Sequence, residues 1–111
     1  MRVLVTGANG FVGQWVCRAL TDSGIAVRGA VRRTDAPRRL PNGFMCDDRV
    51  VVGEITDGTD WRDALHGVDA VVHLAARVHV MRDRARDPLQ AFRAVNVDAT
   101  IHLARAAAAC G

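Results

Sequence analysis

The chain predicts a single α/β domain in which a parallel β-sheet is layered by helices. Short β-branched apolar runs alternate along the sequence with segments of helical periodicity, a pattern typical of successive strand–helix units. The apolar runs are nearly continuous, as in strands that are buried on both faces. A length of 111 residues, of which 50% are hydrophobic, fits one domain and is too apolar for a disordered chain.

Residues 1–31 predict a strand, a glycine-rich turn, a helix and a second strand. The first strand is Arg2–Thr6 (RVLVT), and Gly7–Gly13 (GANGFVG) interrupts it. Helical periodicity begins at Val12 and is expected to end at Ser23–Gly24. A second strand is predicted over Ile25–Val31. The residues expected to share the buried face of the helix are Val12, Val16, Ala19 and Leu20.

The middle of the chain continues the same alternation. Residues 32–47 contain proline, asparagine and glycine and show no clear period, which predicts a loop with room for one helical turn. A third strand is predicted over Arg49–Gly53 (RVVVG). A short helix follows over Thr59–Leu65, with Thr59 or Asp60 as its N-cap.

The last part of the chain predicts a fourth strand and a long helix. Gly67 ends the short helix, and the strand is predicted over Val68–Ala75. Residues 77–86 are charged and receive no assignment, whereas Asp87–Pro88 is typical of a helix start, and Gly111 stands at a helix stop. The apolar face of this helix is Leu89, Phe92, Val95, Ala99, Leu103 and Ala106. The order of elements favours a sheet with spatial strand order 3-2-1-4.

Three glycines lie between the first strand and the first helix, at Gly7, Gly10 and Gly13. In such a turn the first glycine permits a tight bend, and the second lets the backbone approach a pyrophosphate. The third lets the helix pack closely, and the helix amino terminus then presents free N–H groups to the phosphates. A Walker A loop is excluded because the sequence contains no lysine.

Three motifs together resemble a known superfamily. Residues 6–13 (TGANGFVG) resemble the TGxxGxxG loop of the extended short-chain dehydrogenases/reductases, and residues 69–76 (DAVVHLAA) resemble its D-x-V-x-H-x-A-A strand. Residues 96–100 (NVDAT) are similar to its N-V-x-G-T helix motif, with Ala99 in place of glycine. The resemblance covers nearly the whole chain and is nearest to NAD-dependent epimerases/dehydratases of the UDP-galactose 4-epimerase type. It implies a Rossmann-type parallel sheet that is truncated before the later strands.

The resemblance implies a set of cofactor-binding residues. Those that would line the pyrophosphate are Gly7, Gly10, Phe11, Val12 and Gly13. Those that would border the nicotinamide-side ribose and phosphates are Leu74, Ala75 and Ala76. Glu54 and Ile55 would lie beside the adenine, where the family usually has Asp, and Asn96 would reach the cofactor from the long helix. Glu54 as an ordinary strand-end acid and Asn96 as a partner of nearby backbone remain alternatives. His73 is interpreted as a packed core histidine.

The end of the second strand bears on the choice between NAD and NADP. An acid there would bind the ribose 2′-hydroxyl and repel a 2′-phosphate. The sequence has Arg32 and Arg33 instead, and a guanidinium matches phosphate bidentately. Both cofactors therefore remain open, with binding of NADP through Arg32 and Arg33 as one hypothesis and a solvated arginine pair as the other.

The resemblance also implies what the chain lacks. In the family, a Tyr-x-x-x-Lys pair with a nearby Ser or Thr removes a proton from a sugar hydroxyl while the nicotinamide takes the hydride. The sequence contains no tyrosine, and all 15 basic residues are arginine. No catalytic residue is therefore assigned. Residues 1–111 are expected to be the N-terminal NAD(P)-binding part of a longer enzyme and to be inactive alone, with the catalytic and substrate-binding segments absent.

Three functions remain open from the sequence. The first is the cofactor-binding portion of a nucleotide-sugar epimerase or dehydratase that acts by transient hydride transfer. The second is part of an NADP-linked carbonyl reductase, and the third is a non-catalytic dinucleotide-binding module. For the full-length enzyme the resemblance implies a nucleotide-sugar substrate, bound through segments outside this chain, and a homodimer.

Other classes of function are not favoured by the composition. The apolar runs are too short for a membrane span, and no secretory leader is evident, so a cytoplasmic location is expected. The net charge is only +3 and the arginine-rich residues 28–39 lack interleaved aromatics, which argues against nucleic acid. The histidines outside the fourth strand share no metal-ligand spacing, and Cys17, Cys46 and Cys110 are expected to be reduced thiols.

Overall fold

The computed structural model describes residues 1–33, 37–75 and 94–110. The strands are β1 (Arg2–Thr6), β2 (Ala26–Val31), β3 (Arg49–Val51) and β4 (Ala70–His73). The helices are α1 (Phe11–Asp22), α2 (Arg62–Leu65) and α3 (Ala99–Cys110), and a π-helical segment, Ala94–Asp98, leads into α3. No helix of these residues is both long and apolar enough to cross a membrane.

The four strands form one parallel sheet in the order β3-β2-β1-β4, so the predicted order 3-2-1-4 is confirmed. Thr6, the last residue of β1, is in register with Ala30 of β2 and with His73 of β4. Because the strands are parallel, the segments that follow them lie along one side of the sheet. We call this side the carboxyl edge: residues 7–10, 32–33, 52–55 and 74–75.

Alternation along β1 divides the core into two layers. Val3 and Val5 pack in a cluster with Cys17 of α1 and Cys46. Leu4, which points to the opposite face, packs in a second cluster with residues of α2 and α3. The buried members of the second cluster are Leu4, Ala30, Trp61, Ala64, Leu65 and Leu103. Helices therefore cover both faces of the sheet, as parallel strands require.

The predicted buried face of α1 is wrong in two positions. Val12 is 56% exposed and Ala19 is also exposed, whereas Gly13 and Cys17 are buried. Val16 and Leu20 pack against the first core cluster as expected. The buried face is rotated because α1 lies closest to the sheet at Gly13, which leaves Val12 beside the carboxyl edge.

The second helix is shorter than predicted, and its N-cap is Trp61 instead of Thr59 or Asp60. The Thr59 hydroxyl is engaged in the preceding turn, where it accepts the N–H of Thr56 at 2.8 Å and donates to the carbonyl of Glu54 at 3.1 Å. Asp60 accepts the N–H of Arg62 at 3.0 Å, so it lies one residue before the cap position.

The third and fourth strands also end earlier than predicted. Gly53 adopts φ +72°, which turns the chain away after β3. At the end of β4 the N–H groups of Leu74 and Ala75 are both taken by the side chain of Thr6, at 3.0 and 3.1 Å. The N–H of Leu74 is shared with the backbone carbonyl of Thr6 at 3.3 Å, and that of Ala75 goes to the hydroxyl, so regular pairing of β4 stops at His73.

Two further expectations concern irregular segments. The loop over residues 32–47 closes, in its described part, through an antiparallel bridge between Arg39 and Met45, without a helical turn there. The predicted start of the long helix at Asp87–Pro88 lies outside the described residues. Its described part opens with the π-helical Ala94–Asp98, which the regular helical pattern did not predict. Ala99 and Leu103 are buried, as expected of its apolar face.

A nearly buried cation joins β2 to α2. The Arg28 side chain is 12% exposed and lies 3.2 Å from the carboxylate of Asp48. Its guanidinium also donates to the carbonyls of Ala64 at 2.9 Å and His66 at 2.7 Å, at the carboxyl end of α2. These carbonyls have no partner within a four-residue helix, so Arg28 acts as its C-cap.

Candidate cofactor-binding site

The glycine turn after β1 is tightly built from backbone contacts. Gly7 adopts φ +65°, and its carbonyl accepts the N–H of Gly10 at 2.9 Å. A Cβ at Gly13 would collide with the carbonyl oxygen of Gly7 and lie 2.8 Å from its carbonyl carbon. The first and third glycines are therefore required by the turn itself, with the third allowing α1 to approach the end of β1.

The amino terminus of α1 faces outward from this turn. Gly10 is the N-cap and makes no side-chain cap bond, and no acidic residue occupies the first turn of α1. Phe11 is 83% exposed, and Val12 is exposed as well. The partial positive charge of the helix end is thus offered to a ligand, which is the arrangement that binds phosphate in other proteins.

The segment after β4 packs directly on the glycine turn. A Cβ at Gly7 would lie 2.9 Å from the nitrogen of Ala75 and 3.0 Å from the carbonyl carbon of Leu74. Leu74 also packs against the first core cluster. The structure therefore brings Leu74 and Ala75 together with the predicted glycines, while Ala76 lies outside the described residues.

A hydrogen-bonded row of side chains runs from β1 through β4 to α3. The Thr6 hydroxyl lies 2.6 Å from Nδ1 of His73, and Nε2 of His73 lies 3.1 Å from the Thr100 hydroxyl. Thr100 in turn donates to the carbonyl of Asn96 at 3.1 Å. Burial lowers the pKa of His73 below its ordinary value. His73 is half-buried and belongs to neither core cluster, and its two ring nitrogens link three elements.

Asn96 is placed by this row. It lies in the π-helical segment before α3 and is half-buried. Its backbone carbonyl is tied through Thr100 to His73, so its position depends on the end of β4.

Glu54 and Ile55 follow β3 at the far end of the carboxyl edge. Glu54 is exposed, and Ile55 packs against the second core cluster. The backbone of this turn is held by Thr59, whose own carbonyl accepts a hydrogen bond from Nε2 of His102 at 2.8 Å. An apolar wall beside an exposed carboxylate is a suitable place for a planar base with an amino group.

Arg32 and Arg33 follow β2, between the glycine turn and the β3 turn in the order of the sheet. Both side chains are exposed. The same edge therefore carries cationic side chains next to the amino terminus of α1. This position suits a phosphate group, and β2 itself ends without an acid.

The thiols and metal-binding side chains offer no separate site in the described part of the chain. Cys17 and Cys46 are free and buried, and Cys110 is free and exposed. Burial raises the pKa of the Cys17 thiol to about 11, with the neighbouring Cys46 adding to the shift. Such a thiol is a poor nucleophile at neutral pH. Residues 1–33, 37–75 and 94–110 contain no cluster suited to a metal ion.

The structure adds polar residues that the sequence analysis did not assign to the site, namely Thr6, Thr59, Thr100 and His102. Thr6 offered one signal, because it is a hydroxyl residue at the end of an otherwise apolar strand and is fully buried. A buried hydroxyl in such a strand needs hydrogen-bond partners, and these are expected on the neighbouring strands at the same register position. The Thr59 hydroxyl bonds within its own turn, whereas the bonds of Thr100 to His73 and of His102 to Thr59 depend on tertiary contacts.

Comparison with known proteins gives a consistent result. The sequence model of the NAD-dependent epimerase/dehydratase family matches residues 3–111. A UDP-glucose 4-epimerase of Vibrio cholerae is 38% identical over 106 residues, which cover 95% of this chain and 30% of that protein. Cinnamoyl-CoA reductase 1 of Petunia hybrida is 35% identical over 83 residues, covering 68% of this chain and 24% of the reductase.

A solved structure shows the same architecture. A short-chain dehydrogenase/reductase superfamily protein of Agrobacterium tumefaciens, crystallised with bound NAD, superposes with a TM-score of 0.70 at 37% identity. The match covers 100% of this chain and 30% of that one. This chain therefore spans about a third or less of the length of these relatives.

Proposed function

The chain belongs to the NAD-dependent epimerase/dehydratase family, and from this premise we propose that its carboxyl edge binds the dinucleotide of a nucleotide-sugar epimerase or dehydratase. One observation carries the proposal. The exposed amino terminus of α1 begins at a glycine without a side-chain cap and follows the end of β1, on the side of the sheet where all four parallel strands end. Dinucleotides bind at such an edge, with the pyrophosphate at the helix amino terminus.

The glycine turn would hold the pyrophosphate. Gly10 has an extended backbone with φ −78°, so any residue could adopt its conformation. A Cβ there would lie 3.2 Å from the carbonyl oxygen of Gly7, and its absence also leaves room for a ligand close to the backbone. We propose that Phe11, Val12 and Gly13 contribute N–H groups there, and that Leu74, Ala75 and Ala76 border the ribose and phosphates on the nicotinamide side.

The β3 turn would hold the adenine. Ile55 would pack on one face of the base, and the carboxylate of Glu54 would accept a hydrogen bond from its amino group. Asn96 would approach the cofactor from the π-helical segment, on the β4 side of the edge. The proposal is supported by the sheet order, in which β3 and β4 lie on opposite sides of β1 and its glycine turn.

The nicotinamide, when bound, supplies a position that accepts a hydride from a sugar hydroxyl carbon and can return it. The residues of this chain bind and orient that cofactor. The chain contains no tyrosine and no lysine, so we expect no turnover from it alone. We propose that a nucleotide sugar is the substrate of the whole enzyme, bound through residues outside this chain, and that the whole enzyme is a homodimer.

A second candidate, an NADP-linked carbonyl reductase, is favoured by Arg32 and Arg33. Both are exposed at the end of β2, where an acid would otherwise select the 2′-hydroxyl of NAD. Similarity to a cinnamoyl-CoA reductase agrees with this alternative. The two candidates differ in the cofactor and in the substrate, so both can be tested.

Calorimetric titration with NAD and with NADP tests cofactor binding. We expect one molecule of dinucleotide per chain, and at least tenfold weaker binding after Gly10→Ala, because the methyl group occupies the space of the pyrophosphate. Its Cβ would lie 3.2 Å from the backbone carbonyl oxygen of Gly7, a tight contact, so urea unfolding of the variant must first show that it folds as the parent does. Gly58→Ala is the matched control, since its Cβ has only the Thr56 hydroxyl nearby, at 3.7 Å.

Arg32→Ser separates the two candidates. If the reductase alternative holds, this variant loses affinity for NADP by about tenfold, the value of a charge-assisted phosphate contact, while its affinity for NAD is unchanged. If the parent prefers NAD and Arg32→Ser changes nothing, the epimerase proposal stands. The whole protein should then interconvert UDP-sugars in an assay with UDP-glucose. Dinucleotide binding without turnover of any nucleotide sugar or carbonyl compound by the whole protein would indicate a non-catalytic module.

A further inference from the structure

We infer that His73 is a positioning residue for the cofactor: as the neutral Nε2–H tautomer, it joins Thr6 to Thr100 and so holds the segment after β4 against the glycine turn. The inference rests on the proposed dinucleotide site for its functional part. Its structural part rests on hydrogen bonds alone, since the ring of His73 lies 2.6 Å from one hydroxyl and 3.1 Å from the other.

The Thr6 hydroxyl determines the state of Nδ1. A hydroxyl has one proton to donate and two lone pairs with which to accept. Its lone pairs take the N–H groups of Leu74 at 3.0 Å and Ala75 at 3.1 Å. Its proton is then the one group left for His73, so Thr6 donates and Nδ1 accepts. Nδ1 therefore carries no proton.

The Thr100 hydroxyl leads independently to the same tautomer. Thr100 donates its proton to the carbonyl of Asn96, four residues earlier in the helical segment. It can therefore only accept from the histidine ring, and Nε2 of His73 must carry the proton. A protonated ring would present a second donor to Thr6, whose lone pairs are already in use.

This assignment gives His73 a role beyond packing. With the ring as its acceptor, Thr6 keeps both lone pairs for the backbone of Leu74 and Ala75. The same backbone lies where a Cβ on Gly7 would be 2.9 Å from the nitrogen of Ala75. The distance between the glycine turn and the end of β4 is thus set by the hydroxyl that His73 orients. On the other side of the ring, Thr100 is hydrogen-bonded to the carbonyl of Asn96, so the histidine also fixes the position of Asn96.

Nuclear magnetic resonance of the protein labelled with ¹⁵N-histidine tests the tautomer at neutral pH without any cofactor. We expect a pyrrole-type signal for Nε2 of His73 and a pyridine-type signal for Nδ1, with the assignment made by their loss in His73→Gln. The exposed His66 provides an internal reference for a ring in water. A protonated Nδ1, or a charged ring, would overturn the inference whether or not NAD binds.

Titration with NAD tests the positioning role. We expect His73→Phe, which keeps the bulk of the ring but leaves Thr6 without its acceptor, to weaken binding at least tenfold. His73→Gln should recover most of that loss, because its amide offers one acceptor and one donor. Thr100→Ser keeps the hydroxyl and should bind as the parent does, whereas Thr100→Val should lose several-fold.

The outcomes separate this inference from the proposed function. If the parent does not bind NAD, the proposed function fails, and the positioning role fails with it, while the tautomer is still decided by the ring signals. If the parent binds NAD and His73→Phe binds equally well, the dinucleotide site stands and the positioning role is refuted. Should His73→Phe not fold, Thr100→Val against Thr100→Ser decides the same question.

Discussion

Replacing Gly13 by alanine should destabilise the protein through a backbone collision. The new Cβ would collide with the carbonyl oxygen of Gly7 and would lie 2.8 Å from its carbonyl carbon and 3.0 Å from Cα of Ala8. All three are backbone atoms of a turn that Gly7 holds at φ +65°, so none can move as the end of a side chain would.

The magnitude follows from two opposed effects. Overpacking costs about 1–3 kcal/mol, and the upper value applies where backbone must shift. Alanine gains about 1 kcal/mol over glycine within a helix, and Gly13 lies in the first turn of α1. The expected net loss is about 2 kcal/mol, which lowers the melting temperature of a domain of this size by roughly 10 °C.

Urea unfolding followed by fluorescence of the buried Trp61 measures this loss. Gly58→Ala controls for the general effect of replacing a glycine, since its Cβ would meet only the Thr56 hydroxyl at 3.7 Å. A Gly13→Ala variant as stable as the parent, or more stable by the helix-propensity gain, would refute the close approach of α1 to the glycine turn.

Three further predictions concern polar groups. Arg28→Met should cost about 2 kcal/mol in urea unfolding, because it removes the donors to the carbonyls at the end of α2 and leaves Asp48 with only the 3.5 Å contact to Arg2; an unchanged midpoint would contradict the capping role. Burial lowers the pKa of His73 below its ordinary 6.5, so the unfolded chain binds the proton first. The contribution of His73 to the free energy of unfolding is therefore complete above pH 6.5. It decreases as the pH falls below 6.5, until the ring is protonated in the folded protein as well. His73→Gln should make this decrease smaller when urea unfolding is measured at a series of pH values. Thr59→Val should cost about 1–2 kcal/mol, because it removes both bonds that close the Glu54 turn, and the control Thr59→Ser should retain them in the same unfolding assay.

The topology of the sheet was predictable because it depends on patterns that are local in the sequence. An apolar run such as Arg2–Thr6 followed by Gly7 and a helical period defines a strand–turn–helix unit. Connections between parallel strands then leave few arrangements, and 3-2-1-4 is one of them. The positions of the predicted site residues along the carboxyl edge follow from the same topology, while their contacts with a dinucleotide stay a prediction.

The errors have a shared cause in contacts that are distant in sequence. β4 ends at His73 because the Thr6 hydroxyl accepts the N–H of Ala75 and shares that of Leu74, and an apolar pattern running on to Ala75 cannot show this. Val12 fits a helical apolar face by spacing, yet it is exposed, and α1 instead packs through Gly13 against the backbone of Gly7 and Ala8. Arg28 belongs to the arginine-rich residues 28–39, which were weighed as a nucleic-acid-binding site. In the structure its guanidinium donates a hydrogen bond to the carbonyl of Ala64 in α2.

Charged side chains stabilise one end of the sheet and uncharged side chains the other, and this difference affects the binding of an anion. At the amino-terminal ends of the strands, the carboxylates of Asp48 and Asp69 engage Arg2, through its guanidinium at 3.5 Å and its backbone N–H at 2.7 Å. At the carboxyl edge, the links around the glycine turn are made by the hydroxyl of Thr6 and by His73, whose pKa is lowered by burial and which we infer to be neutral. Neutral links fix the backbone without adding a negative charge beside the amino terminus of α1. The partial positive charge there is therefore left to attract an anion, so an acid introduced at Gly10 should repel the dinucleotide even where the fold accommodates it.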